Sequence, residues 1–96
     1  MRRSSIERIR ERIRLRQYDM TAHATEELAE DDLTIVDVEH AVLAGRVVQI
    51  QRDDPRGSKY VIEGPATDGA TLVGVVGRFL GRDRYLIVTV YGIAVD

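Results

Sequence analysis

Ninety-six residues, 44% apolar and 31% charged, suffice for one small folded domain and leave no room for two. The absence of cysteine excludes disulfide staples, thiolate zinc sites and a cysteine nucleophile. The net charge of -2 conceals a segregation: residues 1–17 carry seven Arg against two Glu, residues 18–44 carry eight acids and no Lys or Arg, and residues 45–96 are nearly balanced.

The segregation has two readings. Basic and acidic helices can pack side by side and neutralise each other, or one block can face a partner of opposite charge. No apolar run approaches a bilayer span, and the Arg-rich start lacks the hydrophobic region of a signal peptide. A cytoplasmic protein without membrane association is the expectation.

In chain order, Ser4 to Gln17 predicts a helix. Ser4 or Ser5 can cap it, and Ile6, Ile9 and Ile13 recur at spacings of three and four among arginines. The segment 1–17 is therefore a basic amphipathic helix within a single domain spanning 1–96. Its apolar stripe goes either into the core or onto a partner. Thr21 is the expected N-cap of a short second helix with Ala24 and Leu28 on its inner side, ended by Asp31 and Asp32. Thr34 and Asp37 form a near capping box for a third helix. Its apolar face is Val38, Ala41 and Val42, and Gly45 is expected as a left-handed C-cap.

From Arg46 onward the period changes to two. Strands are predicted at Val47–Gln51, Lys59–Glu63, Leu72–Phe79 and Tyr85–Tyr91, separated by turns at "DDPRGS", "TDG" and "LGRDR". Gly74 and Gly77 inside the third strand predict a bulge or a close approach. In the fourth, strict alternation puts Leu86, Val88 and Val90 on one face and Tyr85, Ile87, Thr89 and Tyr91 on the other. Short connections require antiparallel pairing. The expected architecture is α+β: N-terminal helices packed on one face of a four-stranded, largely antiparallel sheet.

The stretch "TAHATEELAEDDLTIVDVEHAVLAGRVV", followed by "DDPRGSKYVIEG" and "IVTVY", resembles the DUF4258 family over about Tyr18 to Tyr91. That family opens on an x-His-Ala step, runs through a short charged helix and a helix with "DVE", and closes that helix with Gly. The resemblance implies a fold similar to the RelE/BrnT toxin superfamily, whose members include ribonucleases partnered by antitoxins. The family's His falls on His23, its helix-closing Gly on Gly45, its strand Tyr on Tyr60 and the following Gly on Gly64. Its Thr-Val-Tyr falls on Thr89 to Tyr91. This chain departs from the pattern at Glu27, where many relatives carry a base, and at Asp32, where they carry glycine.

RNA cleavage without a metal needs a proton acceptor for the 2′-hydroxyl, a cation near the phosphate and a proton for the leaving oxygen. Histidine titrates nearest neutrality, and His23 sits near a helix N-terminus. The expected catalytic set is His23 for proton transfer, Arg78 or Arg52 as phosphate clamp and Tyr91 as an orienting donor. Lys59 and Tyr60 are the expected substrate-binding residues; Gly45, Gly64 and Thr89 are structural. Glu26, Glu27, Glu30, Asp31 and Asp32 weigh against RNA at this helix, because nucleic-acid affinity rests on cations. The competing reading makes His23 a lock between the second helix and the last strand, bonded to a carbonyl or to Thr89. His40 is expected in solvent. No metal signature, cofactor motif or phosphate loop is present.

The functional expectation is a toxin-like small domain, with metal-independent RNA cleavage as its reaction if it is an enzyme. The alternative is a non-catalytic protein-interaction module, with an antitoxin-like partner or a second copy as its ligand.

Overall fold

A computed structural model describes residues 4–93, so the first three residues of the basic 1–17 segment lie outside it. In chain order the elements are α1 (Ser5–Arg14), β1 (Tyr18–Met20), α2 (Ala22–Glu30), α3 (Ile35–Ala44), β2 (Arg46–Gln51), β3 (Lys59–Pro65), β4 (Leu72–Leu80) and β5 (Arg84–Ile93). The fold is α+β, but the sheet has five strands in the order β1-β5-β4-β3-β2. Strands β2 to β5 form the expected antiparallel meander. The strand missing from the expectation is β1, which pairs parallel to β5 through Tyr18–Tyr85 and Met20–Ile87 and makes the sheet mixed.

Helix α1 carries its isoleucine stripe into the core. Ile9 and Ile13 are fully buried, worth roughly 1.5–3 kcal/mol each, and Ile6 packs beside them. Ser4 caps the helix by accepting from the Glu7 amide. Its arginines have specific work inside the chain. Arg8 lies 4.3 Å over the Phe79 ring, and Arg10 donates to the carbonyls of Val42 and Gly45 at the C-terminus of α3. A cation there complements the helix dipole, and α3 has no base of its own in its last turn. Basic α1 packs on α3, a helix of the acidic block, so helices of the two blocks lie side by side, while α2 lies along β5. Among the described residues no ion pair joins α1 to α2.

Helix α3 is stitched to the end of β3. Its Thr34–Asp37 capping box forms as read, and the second Asp37 oxygen accepts from the Thr67 amide and hydroxyl. His40 is exposed but not merely solvated: its Nδ1 lies 2.8 Å from the Pro65 carbonyl. Gly45 is not a left-handed cap; its backbone is extended at φ -93. Glycine is needed there for contact. A Cβ on Gly45 would meet the Ala41 and Glu63 carbonyl oxygens at 2.4 Å, and one on Gly64 would lie 2.8 Å from the Gly45 Cα.

The alternation expected for β5 fails at one point. The register of β4 against β5 shifts between Val76 and Gly77, so that Thr89 and then Ile87 pair with consecutive β4 residues. Val88 is the extra residue of a β-bulge, which flips the phase of everything before it. Tyr85, Ile87 and Val90 are therefore all in the core, while Leu86 and Tyr91 point to the other side. The Tyr85 ring occupies the space where a Gly77 side chain would be, and it packs edge-on against Phe79, which packs likewise on Tyr60.

Candidate functional site

The helical layer covers one face of the sheet, where Ile62, Val73, Val75, Ile87 and Val90 meet Ile9, Ala24, Val38 and Val42. The opposite face is free of helices among the described residues. By register and alternation it carries Arg46, Gln49 and Gln51 from β2, Lys59, Val61 and Glu63 from β3, Gly74, Val76 and Arg78 from β4, and Leu86, Thr89 and Tyr91 from β5.

Along the free edge of β5 the chain continues from β1 into α2. Thr21 bonds the Ile87 carbonyl through its amide and the Val88 carbonyl through its hydroxyl, and its Oγ1 accepts from the Ala24 amide as N-cap. One helical turn later, Glu27 Oε1 accepts from the Val90 amide at 3.0 Å; after another, Asp31 Oδ2 accepts from the Gly92 amide at 2.8 Å. Carboxylates four apart on the helix rise about 6 Å, close to the 6.8 Å between alternate residues of a strand. Two of the five acids between Glu26 and Asp32 thus replace a neighbouring strand and blunt the edge.

His23 stands one turn before Glu27 on the same helical column. Its side chain is 67% exposed, and Nε2 lies 3.3 Å from the same Glu27 oxygen that holds Val90. The lock between α2 and β5 is made by Thr21, Glu27 and Asp31. The imidazole is left at the surface, in contact with a carboxylate that the backbone itself fixes.

The structure brings only part of the expected set together. Arg78 and Tyr91 share the helix-free face on neighbouring strands but stand four residues apart along it, about 14 Å, with Thr89 between them opposite Val76. Arg52 lies past the end of β2, at the other edge of the sheet, about 14 Å from β5 at ordinary strand spacing. It belongs to an open concavity of about 1080 Å³ formed by Gln49 to Arg56 with Lys59. There Asp54 takes an ion pair from Arg56 and another from Lys59, and its carboxyl is held below the usual range by the Arg56 amide and guanidinium. Tyr60 points to the helical side, into the aromatic cluster with Phe79, so it and Lys59 serve opposite faces.

Burial, and then the Glu63 charge, push the Tyr91 hydroxyl above its ordinary value. A phenol so shifted stays protonated at neutral pH. It can orient a substrate but does not give up its proton readily. Two participants escaped the sequence reading: Glu27 as the partner of His23, although the i,i+4 spacing was legible, and Glu63, whose place beside Tyr91 follows only from the register. No group of three His, Asp or Glu side chains among the described residues is gathered to hold a metal ion.

The sequence model of the domain of unknown function DUF4258 matches residues 20–92. The chain belongs to the DUF4258 family. No curated protein and no solved structure matches it. The DUF4258 match begins at β1 and leaves α1 outside. Within it, the motif glycines Gly45 and Gly64 make the α3–β3 contact, and the terminal Thr-Val-Tyr puts Thr89 and Tyr91 on the helix-free face. The family's histidine is the surface imidazole of α2. Glu27 of the same helix caps β5 at the Val90 amide. No helix among the described residues is long and apolar enough to cross a membrane.

Proposed function

We propose that this DUF4258 domain is a toxin-like module that cleaves RNA without a metal, working on the helix-free face of its sheet. The observation that carries this reading is His23: an exposed imidazole contributes nothing to the core, yet it lies 3.3 Å from a carboxylate anchored on the Val90 amide. An accessible base aligned by a third group is the arrangement that general-base chemistry requires.

In this reading the ring nitrogen not facing Glu27 takes the proton of a ribose 2′-hydroxyl. The oxygen attacks the adjacent phosphorus, the bond to the 5′-oxygen breaks, and that oxygen takes a proton from solvent. Arg78 steadies the charge on the phosphoryl oxygens, and Tyr91 orients the bound strand. Lys59 stands opposite Arg78 on the neighbouring strand and adds a second cation there, while Arg52, past the end of β2, contacts the strand at a distance. The acids around His23 are less adverse than the sequence suggests, because Glu27 and Asp31 are engaged with β5 amides. The test is incubation of the protein with single-stranded RNA in the presence of a chelator. The reading requires products with 2′,3′-cyclic phosphate and 5′-hydroxyl ends; intact RNA contradicts it.

A second reading, a non-catalytic interaction module, draws on another surface. Leu15, Ile35 and Val36 are half or more exposed, and Ile35 lines a groove of about 360 Å³ with Arg16, Tyr18, Asp19, Met20 and Thr25. An antitoxin-like partner or a second copy would use this apolar patch, and Ile35→Asp would then abolish association while RNA cleavage, if any, persisted.

A further inference from the structure

A row of residues crosses the helix-free face in register from Arg46 through Glu63 and Gly74 to Tyr91. Gly74 has no side chain, and Tyr91 fills the space. A Cβ built on Gly74 would lie 2.1 Å from Tyr91 Cζ and 2.4 and 2.6 Å from the two Cε atoms. Those distances put the glycine under the face of the ring, because an approach in the ring plane would leave both Cε atoms much farther off than Cζ. The ring therefore lies flat on the sheet with its hydroxyl end over β4, toward β3. Glu63 is the next residue in the row, and its charge acts on the Tyr91 hydroxyl.

We propose that Tyr91 and Glu63 form a subsite for an unpaired guanine base. The inference rests on the RNA-directed reading above and names the base that the face selects. A ring lying flat on a sheet offers its second face for stacking, and any base can stack on it. Selection comes from the carboxylate beyond the ring edge. Guanine presents two adjacent N–H donors, N1–H and the 2-amino group, which match the two oxygens of Glu63. Adenine and cytosine place a ring acceptor next to their amino donor, and uracil flanks its single N–H with two carbonyls. Each of these brings a lone pair against the carboxylate. Arg46, in the same row beside Glu63, supplies a cation for the attached phosphate.

The experiment is calorimetric titration of the intact chain with guanosine, adenosine, uridine and cytidine 5′-monophosphates. Guanosine monophosphate binds about tenfold or more tightly than the other three, a good bidentate pair being discriminating by that order. Glu63→Gln removes the preference and leaves weak binding of all four. Tyr91→Leu weakens all four by about tenfold, and Tyr91→Phe, which keeps the ring on Gly74, retains both affinity and preference. Thermal unfolding of each variant accompanies the titrations, and the two conservative changes keep the test intact if Tyr91→Leu unfolds the chain. Equal binding of guanosine and adenosine monophosphate, a preference that survives Glu63→Gln, or no binding at millimolar concentration overturns the proposal.

A short single-stranded RNA with one guanine separates the two sources of the ligand. Tighter binding than the mononucleotide points to RNA, and equal binding to a free guanine nucleotide. No turnover is involved, so guanine preference without RNA cleavage leaves the subsite standing and removes the nuclease reading, while cleavage without preference does the reverse.

Discussion

Gly45 and Gly64 meet backbone to backbone: a Cβ on Gly64 would lie 2.8 Å from the Gly45 Cα and 2.1 Å from the Ala41 carbonyl oxygen. The contact lets α3 lie directly on β3, and Arg10 donates to the Gly45 carbonyl at the same point. Gly64→Ala therefore forces helix and strand apart and costs about 3 kcal/mol or more, at the upper end of overpacking effects. Gly45→Ala does the same without backbone strain, since its φ suits any residue. Urea unfolding of both variants measures the loss, and stability within about 0.5 kcal/mol of the parent would contradict the contact.

Asp32 occupies a left-handed position, φ 56, at the end of α2, where the Leu33 amide returns to the Leu28 carbonyl in a Schellman turn. A side chain is disfavoured there, and a negative one sits badly beside the C-terminal dipole. Asp32→Gly is expected to raise stability by about 0.5–1 kcal/mol. A lower midpoint in chemical denaturation would show that Asp32 has a role beyond its backbone.

Asp37 carries an acid dependence. Hydrogen bonds from Thr67, above all, and from Thr34 push its carboxyl down to about 2. Because the folded value lies below the unfolded one, the stabilisation is complete above about pH 4 and fades as pH falls through 2. Asp37→Asn, which removes the charged acceptor of the capping box, costs about 1 kcal/mol at neutral pH. Its deficit relative to the parent should shrink below pH 4, as acid denaturation curves will read. A deficit constant with pH would contradict the assignment.

Tyr18 carries the alkaline counterpart. Burial first, and then its 2.7 Å hydrogen bond to Glu39, push the phenol up to about 12. Here the folded value is the higher one, so the contribution is complete below pH 10 and is lost as pH rises through 12. Tyr18→Phe should remove the highest-titrating step accessible in the folded chain in an ultraviolet titration of tyrosinate. A Tyr18 that ionises near 10 would contradict the β1–α3 bond.

The periodicities carried much of this fold into view. Isoleucines at spacings of three and four, the Thr21 and Thr34 caps and the β-branched run of the last strand each specify a local geometry, and the elements they predict are present. What stayed hidden depended on partners distant in sequence. The three residues of β1 alternate inward and outward but are too few to carry a signal, and they become a strand only against Tyr85 and Ile87. The Val88 bulge follows from the needs of two rings, since Tyr85 must cover Gly77 from inside and Tyr91 must cover Gly74 from outside. At the candidate site, the histidine was legible as a residue type near a cap, but its exposure was not. Whether His23 or Glu27 would bind β5 depends on which side chain reaches the strand edge, and that is a fact of packing.

His23 carries the proposed chemistry, and the decisive measurement compares His23→Ala with the parent for RNA cleavage in chelator and for thermal unfolding in the same buffer. Because the ring is at the surface, the variant should melt within about 2 °C of the parent, an effect on the order of 0.5 kcal/mol or less. Its cleavage rate should fall by a factor of about 100 or more, the scale of a lost general base. A variant that cleaves as fast as the parent, or that loses activity only because it no longer folds, would contradict the account.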